Sequence, residues 1–297
     1  MTIDIGRVGI WTGALDGHPS SVAREAALEL ESLGYSTLWV PEAVGREPFV
    51  FSAVLLGATS RLKLATGIAN IYARDPMTTV GAQKTLAEAF PGRFLLGLGV
   101  SHQHLVQNLR KHDYSRPLSY MKTYLAAMDE AMFAAVSPAE DPGRVIAALG
   151  PKMLEVAATQ AGGAHPYFTT PEHTATARQV MGAGPLLAPE QMVVLDTDPG
   201  RAREVARAGM TVYLRAPNYL NNLRRLGFSD EDWADYKNPS DRLVDAIVAW
   251  GDVDAIAARV KAHHDAGADH VCVQVLRGDR ELPRQEWREL APALVAR

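Results

Sequence analysis

Short apolar runs recur along the chain, and between them the apolar residues fall at helical spacing. VGIW (8–11), STLWV (36–40), LKLATGI (62–68) and RFLLGLG (93–99) are the first four runs. VIAAL (145–149), a segment near AHPYF (164–168), QMVVL (191–195) and HVCVQV (270–275) bring the predicted strands to eight. They read as continuous apolar runs, as expected of strands covered on both faces of a parallel sheet. From Ser20 to Leu33 one helical face carries Val22, Ala26, Leu30 and Leu33, with Ser20 and Ser21 as candidate caps and Gly34 as the terminator. Further helices are predicted near 50–59, over 77–89 with Asp75 as cap and Pro76 at its start, and over 117–135.

Strands alternating with helices imply parallel strands joined by helical crossovers. Eight units match an α/β fold of the (β/α)8 TIM-barrel type, expected as a single domain over residues 1–297. The alternative is an open doubly wound sheet, but the first turn, WTGALDGH (11–18), lacks the G-x-G-x-x-G nucleotide loop. Residues 101–143, after the fourth strand, and 198–268, after the seventh, exceed a single crossover and read as insertions on the barrel. Within the second, residues 218–250 form a candidate lid around NYLNNLRRLGF.

Hydrophobic residues make up 47% of 297, enough for a large core, and the net charge is −4 without a block of like charge. That distribution gives no sign of a nucleic-acid tail or a membrane arm. No apolar run approaches the ~20 residues that span a bilayer. A start at MTIDIGRVGIW without a signal-peptide pattern, and one cysteine, Cys272 in an apolar run, fit a cytoplasmic protein with an inert thiol.

In barrels the chemistry gathers at the C-terminal ends of the strands. That rule selects Trp11, Glu42, Gly67, Ile68, Ala69, Asn70, the GVSHQH segment (99–104), LGPK (149–152), His165 and Tyr167. Glu42 either serves a ligand, or simply caps the next helix or pairs with Arg46. Gly67 could be packing relief, and Gly99 and Gly150 are either turn glycines or places where backbone meets a phosphate or a flat ring. His102 and His104 form H-x-H, but no third ligand stands out, so no metal is expected. His263 and His264, beside Lys261 and Asp265, read as surface, and Trp39 as core.

LWVPEAVGREPF, LATGIANIYARDP, PGRFLLGLGVSHQHLV and AALGPKMLEVA occur in this order, followed by DAIVAWGDVDAIAARV and AGADHVCVQVL. Together they resemble the luciferase-like family, in particular its coenzyme F420-dependent oxidoreductase branch of actinobacterial type. The resemblance implies a deazaflavin at the barrel mouth, backed by a bulge with a non-proline cis peptide at Gly67–Ile68. It implies Asn70 at the ring edge, with Ala69 beside it, and Glu42 near the ring. Val100 and Ser101 would approach the phosphate or ribityl chain. Ala148, Leu149 and Gly150 would lie beside the cofactor tail, although Leu149 departs from a glycine pair seen in relatives. Trp11, His165 and Tyr167 would line the substrate pocket. His102, where some relatives carry an acid, would be the proton donor, with Glu42 as a second catalytic candidate. Ala43 stands where some sugar-phosphate-oxidising relatives have a histidine as proton acceptor, which argues against a matching alcohol oxidation.

The implied activity is hydride transfer between the deazaflavin C5 and a small organic substrate. Its alternatives are an FMN-dependent monooxygenase using reduced flavin and oxygen, and a cofactor-binding barrel without turnover. Related barrels pair through helices near strands two to four, and the apolar FVFSAVLLGA (49–58) suits such a homodimer.

Overall fold

A computed structural model describes residues 3–295. The first half runs β1 (Val8–Trp11), α1 (Ser20–Leu33), β2 (Thr37–Val40), α2 (Pro48–Leu56), β3 (Lys63–Thr66), β4 (Ala69–Asn70), α3 (Pro76–Ala89) and β5 (Phe94–Gly99). It continues with α4 (Pro117–Asp129), β6 (Arg144–Ile146), α5 (Pro151–Gln160), β7 (Gly163–Ala164), α6 (Pro171–Met181), β8 (Leu186–Leu187) and β9 (Glu190–Val194). Then come α7 (Pro199–Met210), α8 (Pro217–Arg225), α9 (Asp241–Ile247), β10 (Val248–Trp250), α10 (Val253–Asp265), β11 (Val271–Val275) and α11 (Arg284–Leu294).

Every strand pair is parallel, in the order β10-β9-β11-β1-β2-β3-β5-β6-β7-β8. The sheet curls because residues 186–194 serve two neighbours. Leu186–Leu187 pair with β7, while Glu190–Val194 pair with β11, which returns to β1. Ala188 N–H also donates to the Ala164 carbonyl and Glu190 N–H to that of Pro166, each over 2.9 Å. Outside, α1 to α6, then α10 and α11, each pack on the next, and α11 packs back on α1.

Local chemistry explains the boundaries. Gly34 ends α1 in the left-handed region, φ 92°, which glycine adopts without a Cβ clash. Every helix from α2 to α8 opens on a proline, whose missing N–H costs nothing there. Asp75 caps α3 by accepting from Thr78 N–H. Ser20 and Ser21 are not caps: Pro19 precedes the helix and the serines form its first turn.

Three other expectations change. α4 ends at Asp129, short of 135. The fifth and sixth predicted strands are shorter, so Ala148–Gly150 and Tyr167 lie on loops beyond them. His263 is not surface: it is fully buried, bonded to Thr174 Oγ1 at 2.8 Å and Gln191 Oε1 at 2.9 Å. Trp39 and Cys272 are core, as expected. β10, absent from the sequence expectation, pairs with Met192–Val194 on the side of β9 away from β11. α7, α8, α9 and β10 lie between β9 and α10.

Candidate functional site

The C-terminal strand ends meet at one mouth of the curled sheet. At its centre is the turn after β3, where the Gly67–Ile68 peptide bond is cis. The turn is pinned on several sides. Gly67 N–H donates to the Val40 carbonyl over 2.8 Å, and Trp11 Nε1–H donates to the Gly67 carbonyl over 3.0 Å. Glu42 N–H donates to the Ile68 carbonyl over 3.3 Å.

The glycines of FLLGLG explain how the turn reaches the next strand. A Cβ on Gly97 would lie 1.9 Å from the Thr66 carbonyl oxygen, and one on Gly99 would lie 2.3 Å from Ile68 Cδ1. Ile68 therefore rests in space that any other residue at 99 would fill. It remains half-buried, presenting an apolar patch at the mouth. Past it, Ala69 and Asn70 form β4 against Leu98 and Gly99. Asn70 is buried, and its Oδ1 accepts from Tyr72 N–H over 2.9 Å.

Glu42 does not pair with Arg46, which instead donates to the carbonyls of Leu15 and His18. Its partner is Arg74: Nη1 and Nη2 each reach one carboxylate oxygen at 2.8 Å, and Asn70 N–H donates to Oε2 over 2.7 Å. Only 6% of the Glu42 side chain and 11% of Arg74 is exposed. Both carboxylate oxygens are thus engaged in tying the turn after β2 to the turn after β3. That geometry is a clamp and leaves no free acid for the proton-transfer role expected of Glu42.

Beneath the turn, His165 stacks on Trp39 with ring centroids 4.3 Å apart. Its Nδ1 lies 2.7 Å from the Ala188 carbonyl, so that nitrogen carries the proton. Nε2 is buried without a partner on the side of Gly67, and burial pushes the ring down to about 4. A neutral ring under the turn supports it from below and does not line an open pocket, contrary to the expected substrate contact.

Above the turn is an aromatic wall that the sequence only partly disclosed. Trp11 packs on Tyr167 (5.0 Å between centroids), Tyr167 on Tyr213 (5.1 Å), and Phe168 on Tyr213 and Tyr219 (5.2 and 5.3 Å). The Tyr167 hydroxyl lies 2.6 Å from that of Tyr213 and 2.7 Å from Gln274 Oε1. Tyr213 and Tyr219 come from the segment between β9 and β11, where no strand-end rule pointed. Glu190 sits deeper, fully buried, with Oε1 unpartnered and Oε2 accepting from Phe168 N–H over 3.2 Å. Desolvation pushes its carboxyl up to about 8.

After β5, Ser101 is in the left-handed region at φ 56°, its carbonyl accepting from the Tyr114 hydroxyl over 3.0 Å. Val100 and Ser101 thereby turn the chain across the mouth. His102 follows, half-buried, its ring 5.3 Å from Tyr219. Burial lowers its basicity, and Nδ1 lies 3.2 Å from Asn218 Oδ1. His104 is exposed on the next turn, bonded to Asn108. Among the described residues no cluster could hold a metal. After β6, Ala148 is buried, the Leu149 carbonyl accepts from His173 Nε2, and Gly150 precedes α5 without a side-chain cap. Pro151 has no N–H and those of Met153 and Leu154 donate to the Gly150 carbonyl, each over 3.0 Å, which leaves Lys152 N–H for a polar ligand tail.

These residues fit a flat tricyclic cofactor. Ile68 offers an apolar seat, and Gly150 heads an uncapped helix for a tail. The fold and this mouth define a class, an α/β enzyme scaffold with a parallel curled sheet. The sequence model described as luciferase-like monooxygenase matches residues 7–270, and the chain belongs to that family.

The relatives are in keeping with this. A protein of Mycobacterium tuberculosis named as a putative coenzyme F420-dependent oxidoreductase is 27% identical over 46% of this chain and 39% of its own. The 5,10-methylenetetrahydromethanopterin reductase of Methanolobus tindarius is 25% identical over 81% of this chain and 86% of its own. An uncharacterized mycobacterial protein is 33% identical over 38% of this chain, a match that spans about a third (34%) of that relative. Among solved structures, an F420-dependent secondary alcohol dehydrogenase aligns with TM-score 0.80 at 14% identity, over 97% of this chain and 99% of that one. The oxygenating constituent of 3,6-diketocamphane monooxygenase from Pseudomonas putida, in complex with FMN, aligns with TM-score 0.69 at 15% identity, over 96% of each chain.

Proposed function

We propose that this chain is an F420-dependent oxidoreductase that moves hydride between the deazaflavin and a small organic substrate. The reading takes the curled sheet as a (β/α)8 barrel forming one domain over residues 1–297, with insertions after its fourth strand (β5) and its seventh (β8 with β9). The observation that carries it is Ile68 seated on Gly99, an apolar platform between a pinned turn and an aromatic wall. Bound there, the deazaflavin would supply C5 as hydride donor or acceptor. Ile68, with Gly67 and Ala69, would back the ring, Asn70 would meet its edge, and Val100, Ser101 and Ala148–Gly150 would flank its tail. Trp11, Tyr167, Tyr213 and Tyr219 would shape the substrate side and exclude water. Glu42 would act at one remove, by holding the turn.

Fluorescence titration of the apo-protein with F420, and separately with FMN, tests this directly. Binding of F420 at micromolar or lower concentration supports it, and binding of FMN alone replaces it with the oxygen-using monooxygenase. That second reading is favoured by the family's description and by the FMN-containing structural neighbour. Oxygen consumption with reduced flavin would then be the assay. Binding without turnover across a broad substrate panel would leave a cofactor-binding barrel.

We also propose a homodimer. On α2 the large side chains Phe49, Phe51, Leu55 and Leu56 are buried, but Val50 and Val54 are 65% and 37% exposed, and nearby Met77 is 56% exposed.

A further inference from the structure

At the end of the sheet opposite the mouth, where the strands begin, a cleft of about 450 Å3 opens beside β1. Small-molecule sites typically enclose about 300–1,000 Å3. Much of the lining is apolar: Val8 opens β1, Ala257 and Val260 come from α10, and Leu294 and Val295 from the end of α11. The charged and titratable groups are Arg7, just before β1, and Lys261, His264 and Asp265 in the last turns of α10.

The charges in this lining do not cancel. Lys261 Nζ lies 2.6 Å from Asp265 Oδ2, so those two neutralise each other. His264 Nδ1 donates to the Ala268 carbonyl over 3.0 Å, and burial, with Arg7 nearby, lowers the basicity of its ring. Arg7 is left, and among the described residues its guanidinium makes no hydrogen bond or ion pair. On its other side is a second, smaller cleft that it shares with Asp4 and Asp269. Both carboxylates there are engaged: Asp269 accepts from Arg178 Nη2 over 2.6 Å and Leu187 N–H over 2.8 Å, and Asp4 Oδ1 from Gly6 N–H over 2.8 Å. The larger cleft therefore presents one positive charge beside an apolar wall.

We propose that this cleft binds a small organic monocarboxylate, with the carboxylate on Arg7 and the apolar body against Val8, Val260, Leu294 and Val295. A planar guanidinium with its donors free matches the two oxygens of a carboxylate. No residue of the mouth takes part, so the site stands whether or not the hydride-transfer reading holds.

Backbone 1H–15N spectra of the full chain, titrated with hexanoate, test this. The amides of Arg7, Ser36, Ala257, Lys261 and Leu294 should shift and saturate at millimolar hexanoate. Acetate, which lacks the apolar body, and 1-hexanol, which lacks the charge, should bind about 10-fold more weakly or less. Arg7→Gln should weaken hexanoate by about 10-fold or more. Ala257→Trp, which fills the cleft from the surface of α10, should abolish binding without lowering the melting temperature. Shifts confined to Trp11, Gly67 and Tyr219 at the mouth, equal binding of acetate, or full affinity in Arg7→Gln would overturn the proposal. Binding only to a chain ending at Val295 would also overturn it, by giving the cleft to residues 296 and 297.

Discussion

Arg74 grips both carboxylate oxygens of Glu42 at 2.8 Å, joining the turn after β2 to the start of α3 across 32 positions of sequence. The pair is almost wholly buried, and removing Arg74 leaves the Glu42 carboxylate with Arg110, 3.6 Å away, in place of two close bonds. Such losses typically cost about 3–5 kcal/mol. Arg74→Met should therefore lower stability by about 3 kcal/mol in urea denaturation and weaken cofactor binding at least 10-fold. Glu42→Gln, which keeps an acceptor for Asn70 N–H, should cost less. Equal effects in both variants would show that charge is not what holds the turn.

The two strand glycines should differ in kind. Gly97→Ala drives a Cβ against the Thr66 backbone carbonyl, which nothing nearby can relieve. It should destabilise by about 2 kcal/mol or more. Gly99→Ala clashes with the Ile68 side chain and meets Ala147 Cβ at 3.3 Å, with no backbone atom in the way. It should fold but lose cofactor affinity, and adding Ile68→Ala should recover the lost stability. Differential scanning fluorimetry separates the two, and failure of that recovery would contradict the seating of Ile68 on Gly99.

Acid should unfold the protein early. His165, pushed down to about 4, and His263 and His270, each to about 3, are neutral in the fold because burial penalises their charged forms. The unfolded chain takes up protons first, near pH 6.5, so stability is lost as pH falls from there towards 3. Each ring should contribute about 1 kcal/mol or more of that loss by pH 4.5. Urea midpoints at pH 7.5, 5.5 and 4.5 measure it, and His263→Gln should flatten the profile.

Glu190 predicts the opposite limb. Its folded carboxyl, raised to about 8, stays protonated in neutral solution while the unfolded one ionises near 4.5. Stability should therefore decline as pH rises through that interval. Glu190→Gln should gain on the wild type by several kcal/mol between pH 5 and pH 9. A constant difference between the two across that range would mean that the carboxyl is hydrated in solution.

Light scattering at micromolar concentration should give twice the chain mass, and Val50→Glu with Val54→Glu should halve it. A wild-type monomer would refute the pairing through α2.

What the sequence disclosed was local. Gly34 and the Asp75–Pro76 pair mark helix ends through their own backbone preferences, so they could be read without a partner. Glu42 was read towards Arg46, its neighbour in sequence, because its true partner Arg74 lies far along the chain. His263 looked solvated because Lys261 and Asp265 flank it. Its inward direction is set by Thr174 and Gln191, which only packing brings near. β10 is a three-residue run, VAW, too short to carry a period. At the mouth, the strand-end rule found Trp11, Gly67 and Tyr167, but it is blind to residues arriving from elsewhere. The tyrosine repeat at 213 and 219 was the available signal for the rest.

That last group has its own consequence. Tyr213, Asn218 and Tyr219 belong to chain lying outside the ring of eight helices, whereas Gly97 and Gly99 are built into β5 and Ile68 into the turn that rests on it. The two halves of the mouth can therefore diverge at different rates. Proteins sharing the glycine-seated turn but differing over 213–219 would keep one cofactor while trading substrates, and grafting that segment between them should move substrate preference with it.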